Sequence, residues 1–345
     1  MSGCNLPHKT NSENTVYCFS LIRIILFDPV YVFGETRMLL KNLTVSLGLL
    51  LSTSIVTGIA TAKPVKNKYG VTKNGHMPEE VRQDLSQEVV KAQQNMTQEH
   101  YEDIVRNPYE ARNDQERLAS LSAREVIILV DRSGSMNAPD ENPTGKHSQG
   151  WTRWDSAKVA AQSISELAVS LDSDNNVDIM LWDGDYGQLR SVTGSMTQVG
   201  DIDRFFEQNK PQRGTTPLAE ALTEIYNVKL RGLLDRSEPF TVIVLTDGQP
   251  DNSQKVKQFF KDTIRNHRLE DSGRETLAAF SFVRMGDDAG AIQFLEDLDD
   301  NLISQLHVNV DIVDTKEDNF LFGTGKYKNA QAVGPFALFW DAIYD

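Results

Sequence analysis

The stretch "VIILVDRSGSMN", residues 126–137, decides how this chain is read. Val126–Val130 is an unbroken apolar run of strand length, the pattern of a strand buried on both faces. It stops on a carboxylate, Asp131, and hydroxyls follow at alternate positions, Ser133 and Ser135. One curled loop can bring three such oxygens to a single point.

Similar runs recur downstream. Val177–Trp182, Phe240–Leu245 and Leu277–Val283 read as strands, and Val308–Val313 as a last strand or edge. Between them, apolar residues fall at helical spacing: Trp154, Ala157, Ala161, Ile164, Ala168 and Leu171, then Leu218, Ala221, Leu222 and Ile225 after Pro217, then Val256, Phe259, Phe260 and Ile264. Short helices are expected over Ile202–Asn209 and Ala289–Leu298. Alternating strands and helices predict an α/β fold. Its form is a doubly wound, mostly parallel central sheet flanked by helices on both faces. Ligands of such sheets bind beyond the carboxyl ends of the strands, where strand order reverses. Asp131, Asp183 and Asp247 all fall at or just past a strand end. Asp183, with Gly184 beside it, reads as a turn residue and is left out of the candidate ligands.

Asp131, Ser133, Ser135, Thr215 and Asp247 form the candidate site. All five are hard oxygen donors, the class that Mg²⁺ prefers, and two carboxylates with a few hydroxyls leave a coordination position open. On spacing alone each has a plainer reading. Asp131 can end a strand, the serines can satisfy loop N–H groups, Thr215 can cap the next helix, and Asp247-Gly248 is a common turn pair.

Three motifs taken together, "DRSGSM", "RGTTPLAEAL" and "VIVLTDGQPD", resemble the von Willebrand factor type A domain with its metal-ion-dependent adhesion site. The resemblance covers roughly residues 123–315. It implies that Asp131 and Asp247 hold a divalent cation directly or through water, that Ser133 and Ser135 are direct ligands, and that Thr215 rather than Thr216 joins in one conformational state. Mg²⁺ is the first expectation, Mn²⁺ or Ca²⁺ the alternatives. The open position would take a carboxylate from a protein partner. "FSFVRMGDDAGAIQFLEDLDD" and "VDIVDT" are similar to stand-alone microbial and fungal A domains, better known as binding modules than as enzymes.

A long polar loop follows the first motif, "NAPDENPTGKHSQGWTR", residues 137–153. It would pass beside the metal face and give it a mostly acidic rim, with Asp140 or Glu141 able to close the open position. The tail, residues 316–345, is rich in aromatics and reads as an element docked on the core, with a partner-binding surface as the alternative.

A net charge of −14 argues against a nucleic-acid partner. The two cysteines, Cys4 and Cys18, leave the rest of the chain without disulfides or thiolate sites. His147, His267 and His307 lack metal-ligand spacing, and neither a nucleophile elbow nor a Gly-rich phosphate loop is present, so the chain is not expected to be an enzyme. Residues 38–62 have a basic start, an apolar centre and an Ala60-Thr61-Ala62 exit, the form of a secretory signal. Export is therefore expected, with a membrane anchor through 42–62 as the alternative and no stable span after cleavage. Residues 1–37 read as an atypical leader ahead of a start at Met38, and 63–122 as a linker and N-terminal helical segment. The function expected is a metal-dependent, adhesion-type protein-binding module. The alternative is a scaffold or chaperone-like component working with an ATPase, its metal mainly structural.

Overall fold

Every residue from Val126 to Asp131 is buried, and the strand they belong to, β1 (Glu125–Asp131), lies inside a six-stranded sheet. The computed structural model describes residues 76–140, 150–171, 176–327 and 333–344. These belong to one unit, Ala62–Asp345. The leader, the export or anchor segment and the lead-in as far as residue 75 lie outside the described residues. Among those described, no helix is long and apolar enough to cross a membrane.

Three helices precede β1: α1 (Glu79–Gln94), α2 (Gln98–Arg106) and α3 (Asp114–Ser122). The last two start where polar side chains cap them. Thr97 accepts from the His100 N–H and Asn113 from those of Gln115 and Glu116. After β1 come α4 (Arg153–Leu171), β2 (Val177–Asp185), β3 (Gln188–Met196), α5 (Val199–Gln208) and α6 (Leu218–Ile225). Helix α6 continues through a π turn, Tyr226–Leu230, into α7 (Arg231–Arg236). Then follow β4 (Phe240–Thr246), α8 (Ser253–Asn266), β5 (Ala278–Arg284), α9 (Ala289–Asp300), α10 (Leu302–Leu306), β6 (Val313–Glu317), α11 (Asp318–Phe322) and α12 (Pro335–Tyr344).

The sheet order is β3-β2-β1-β4-β5-β6, parallel except for the antiparallel edge strand β3. From β1 the chain moves out to β2 and β3, then crosses back to β4 on the other side of β1. Strand order therefore reverses at β1, and the crevice of a doubly wound sheet opens over the carboxyl ends of β1 and β4. The pleat divides the core. Val126, Ile128 and Val130 pack with Ala157, Ala161 and Ile164 of α4, while Ile127 and Leu129 pack with Leu222 of α6 and Phe260 of α8. Each fully buried large apolar side chain contributes about 1.5–3 kcal/mol by leaving water.

The structure departs from the sequence expectations in two places. β2 does not stop at Asp183. It runs on to Asp185 and turns through Tyr186 and Gly187, both at positive φ, into β3, a tight hairpin not foreseen. The last strand is Val313–Glu317 rather than Val308–Val313, because the partners of β5 begin at Val313, opposite Phe280. Val308, Val310 and Ile312 are still buried, as a connection packed on the core. The tail docks as α12 against β5, β6 and α4. Tyr344 meets Tyr109 edge-on at 4.9 Å, and the Tyr109 hydroxyl donates to the Ile343 carbonyl at 3.1 Å.

Candidate metal centre

β1 delivers Asp131, fully buried, to the crevice. The loop after it curls back so that the Ser133 N–H donates to Asp131 Oδ1 at 2.8 Å. At the end of β4, Thr246 Oγ1 donates to Asp131 Oδ2 at 2.8 Å. Ser133 Oγ lies 2.9 Å from Ser135 Oγ, and Ser135 Oγ donates to Asp247 Oδ1 at 2.9 Å. Asp131, Ser133, Ser135 and Asp247, four of the five candidate residues, thus form one hydrogen-bonded cluster. Thr246 was missed. Its signal was its place just before Asp247, at a strand end next to β1.

Two buried carboxylates this close are costly. Burial, and then the charge of Asp247, push Asp131 up to about 7 against the pull of its hydrogen bonds to Ser133 and Thr246. Asp247 is also raised by burial, opposed by Arg153 and Ser135. Among the described residues no three His, Cys, Asp or Glu side chains converge. Any ion here would depend on the hydroxyls.

The threonine turn approaches from α6, and it packs on Gly134, between the two serines. A Cβ at Gly134 would lie 3.4 Å from the Gln212 carbonyl oxygen and 3.6 Å from Arg213 Cα. Thr215 pairs with Gly184 through both its backbone groups, at 3.1 Å each. Its hydroxyl rests on that glycine, where a Cβ would stand only 2.3 Å away. Thr215 is exposed, whereas Thr216 is buried and its hydroxyl is on the Gly248 side. That hydroxyl lies 3.3 Å from where a Gly248 Cβ would be, a point itself 3.9 Å from Ser135 Oγ. The expectation that Thr215, and not Thr216, faces the site is therefore corrected. The backbone bridge to Gly184 turns Thr215 outward.

Asp183 is fully buried and held between two arginines, by Arg132 Nε at 2.8 Å and Arg190 Nε at 2.5 Å. It anchors the loop through Arg132, which lies between Asp131 and Ser133. Asp140 does not approach the cluster. It turns away, accepting from the Ser156 hydroxyl, and is buried. Glu141 lies outside the described residues. What the 137–153 loop does bring in is its last residue, Arg153. Its Nη1 donates to Asp247 Oδ2 at 2.7 Å, and Nη2 lies 3.8 Å from Asp287 Oδ1. Arginines stand beside the acids here: Arg132 and Arg190 on Asp183, Arg190 also on Asp185, and Arg153 on Asp247 and Asp287. Arg213 is exposed and has no ion pair among the described residues.

Comparison with known proteins follows the same lines. The family model for the von Willebrand factor type A domain matches residues 126–249. Solved structures similar to this chain include the von Willebrand A domain of SpRpn10, at 12% identity over 56% of this chain and 87% of that one, with a TM-score of 0.39. Manganese-loaded Plasmodium vivax TRAP protein is 18% identical over 58% of this chain and 70% of that one, with a TM-score of 0.38. BatB from Bacteroides thetaiotaomicron, a conserved hypothetical protein, is 20% identical over 47% of this chain and 66% of that one, with a TM-score of 0.32. Comparison with curated proteins returned no match. The matched stretch runs from the first residue of the apolar run in β1 to just beyond Asp247, so it holds every motif that builds the cluster. Residues 126–249 of this protein match the von Willebrand factor type A domain.

Proposed function

We propose that the domain is a metal-dependent protein-binding module. Asp131, Ser133, Ser135, Thr216 and Asp247 would hold a divalent cation, Mg²⁺ in the first instance, with Mn²⁺ or Ca²⁺ as alternatives. The bound ion would supply a Lewis-acidic position for a carboxylate of the partner. One observation carries this reading: two buried carboxylates are brought together through serine hydroxyls at the switch point of the sheet. A divalent cation relieves their repulsion, and all the groups are hard oxygen donors. On this reading Ser133 and Ser135 are ligands rather than nucleophiles, and the module binds without catalysing a reaction.

Calorimetric titration of the full chain with Mn²⁺ tests the proposal. Wild-type protein is expected to bind one equivalent. Asp131→Ala should weaken binding by about a hundredfold or more, the scale of losing a charged ligand from a buried site. Pull-downs in Mg²⁺ and in EDTA then extend the test to partners. Partners retained equally in Mg²⁺, in EDTA and by the Asp131→Ala protein would rule out a metal-bridged contact.

A further inference from the structure

We propose that Arg153 sets the charge of this centre, weakening its hold on the cation and strengthening the loaded centre's hold on an anion. The inference rests on the metal reading above. Arg153 divides the oxygens of Asp247. Oδ2 takes the guanidinium at 2.7 Å, and Oδ1 takes Ser135 at 2.9 Å. One carboxylate oxygen is thereby fixed away from the serines and one toward them.

The fold goes to some length to place this side chain. Gly286, just past the end of β5, has φ +76°, a conformation that favours glycine. A Cβ there would sit 2.4 Å from Arg153 Nε and 2.9 Å from Cζ. The guanidinium therefore passes close over Gly286, in a trough that only glycine leaves open. The backbone is held as well. The Arg153 N–H donates to the Ala138 carbonyl at 3.0 Å, Pro139 and Thr152 form an antiparallel bridge, and the Asp140 N–H donates to Trp151 at 2.9 Å. Asp155 accepts from both the N–H and the hydroxyl of Thr152, fixing the start of α4. Arg153 is only 13% exposed.

The charge balance follows from these contacts. Asp131 and Asp247 contribute two negative charges and Arg153 one positive, so the cluster with a divalent cation is left with one positive charge. A partner carboxylate neutralises it. Without Arg153 the loaded cluster is already neutral and draws an anion less. Asp287, half exposed beside the outer nitrogen, is screened by water and offsets this only in part.

The test uses the full chain and two probes, Mn²⁺ by calorimetry and acetate titrated into the Mn²⁺-loaded protein, followed by water-proton relaxation. Arg153→Gln is expected to bind Mn²⁺ about tenfold tighter and acetate about tenfold more weakly, the scale of one unit charge removed from a partly buried site. Arg153→Lys keeps the charge and should stay within about threefold of wild type. Gly286→Ala keeps the arginine but fills its trough, and should move both affinities toward those of Arg153→Gln. Mn²⁺ affinity unchanged or weakened in a folded Arg153→Gln protein, beside a wild type that binds, overturns the inference alone. If wild type binds no Mn²⁺, the metal reading itself fails, and the inference with it.

Discussion

Asp318→Asn is expected to stabilise the protein by about 2 kcal/mol or more at pH 8, and by much less at pH 5. Asp318 opens α11, directly after β6, and is fully buried. Its Oδ1 accepts from the Asn319 N–H at 2.7 Å, and its Oδ2 has no hydrogen-bond partner among the described residues. Burial, and then the charge of Asp140, push this carboxyl up to about 8 against the pull of the Asn319 N–H and Arg284. The folded state therefore keeps a proton that the unfolded chain gives up near pH 4. A raised carboxyl works in the opposite sense to the usual salt-bridged aspartate. Its stability is present below the unfolded value and is lost as pH rises toward 8. Asparagine keeps the acceptor for the Asn319 N–H, cannot ionise, and turns an N–H donor toward the Asp140 side. Asp131 titrates in the same direction but is common to both proteins, so the difference between them isolates Asp318. Urea unfolding at pH 5 and pH 8 in EDTA measures it. Parallel stability curves for the two proteins would show that Asp318 does not carry this proton.

The parts of the fold legible in sequence were those where burial is symmetric. β1, β2, β4 and β5 are apolar on both faces, and their positions followed from that alone. β3 escaped because an edge strand needs no apolar face. Gln188–Met196 is partly exposed along most of its length, and its pairing with β2 is a matter of backbone partners. The shift of the last strand has the same cause, since Val308–Ile312 is as apolar as a strand but lacks a neighbour. The cluster itself was legible because Asp131, Ser133 and Ser135 share one loop and Asp247 ends the neighbouring strand. Two features were not. Neighbouring threonines look alike in sequence, and only the backbone bridge to Gly184 decides which hydroxyl turns inward. Arg153 lies at the far end of a long loop, so nothing in its spacing announces that it returns to Asp247. The arginines beside these acids were illegible for a related reason. Counting charges along a loop says nothing of which are buried, as Asp140 is, or which arginines arrive from other strands.

Gly184→Ala should both destabilise the domain, by about 1–3 kcal/mol, and weaken Mn²⁺ binding by about tenfold. Gly184 is paired to Leu189 of β3 in the sheet and to Thr215 across the bridge. A methyl group there would lie 2.3 Å from Thr215 Oγ1 and 3.0 Å from Pro217 Cδ. The hydroxyl could rotate away, but the proline ring, fixed at the start of α6, cannot. The turn must lift, carrying Thr216 with it from its place on the Gly248 side. The double variant Gly184→Ala with Thr215→Ala removes the worse of the two contacts. It should recover part of the stability, a coupling of about 1 kcal/mol that additive effects would contradict. The single variants separate the threonines directly. Thr215→Ala should leave Mn²⁺ affinity within about twofold of wild type, because its hydroxyl rests on Gly184. Thr216→Ala should lower it by about tenfold, the usual scale of one neutral oxygen donor lost from a buried site. An equal loss in both would place Thr215 back among the ligands. A loss in Thr215→Ala alone would mean that the turn rearranges when the cation binds.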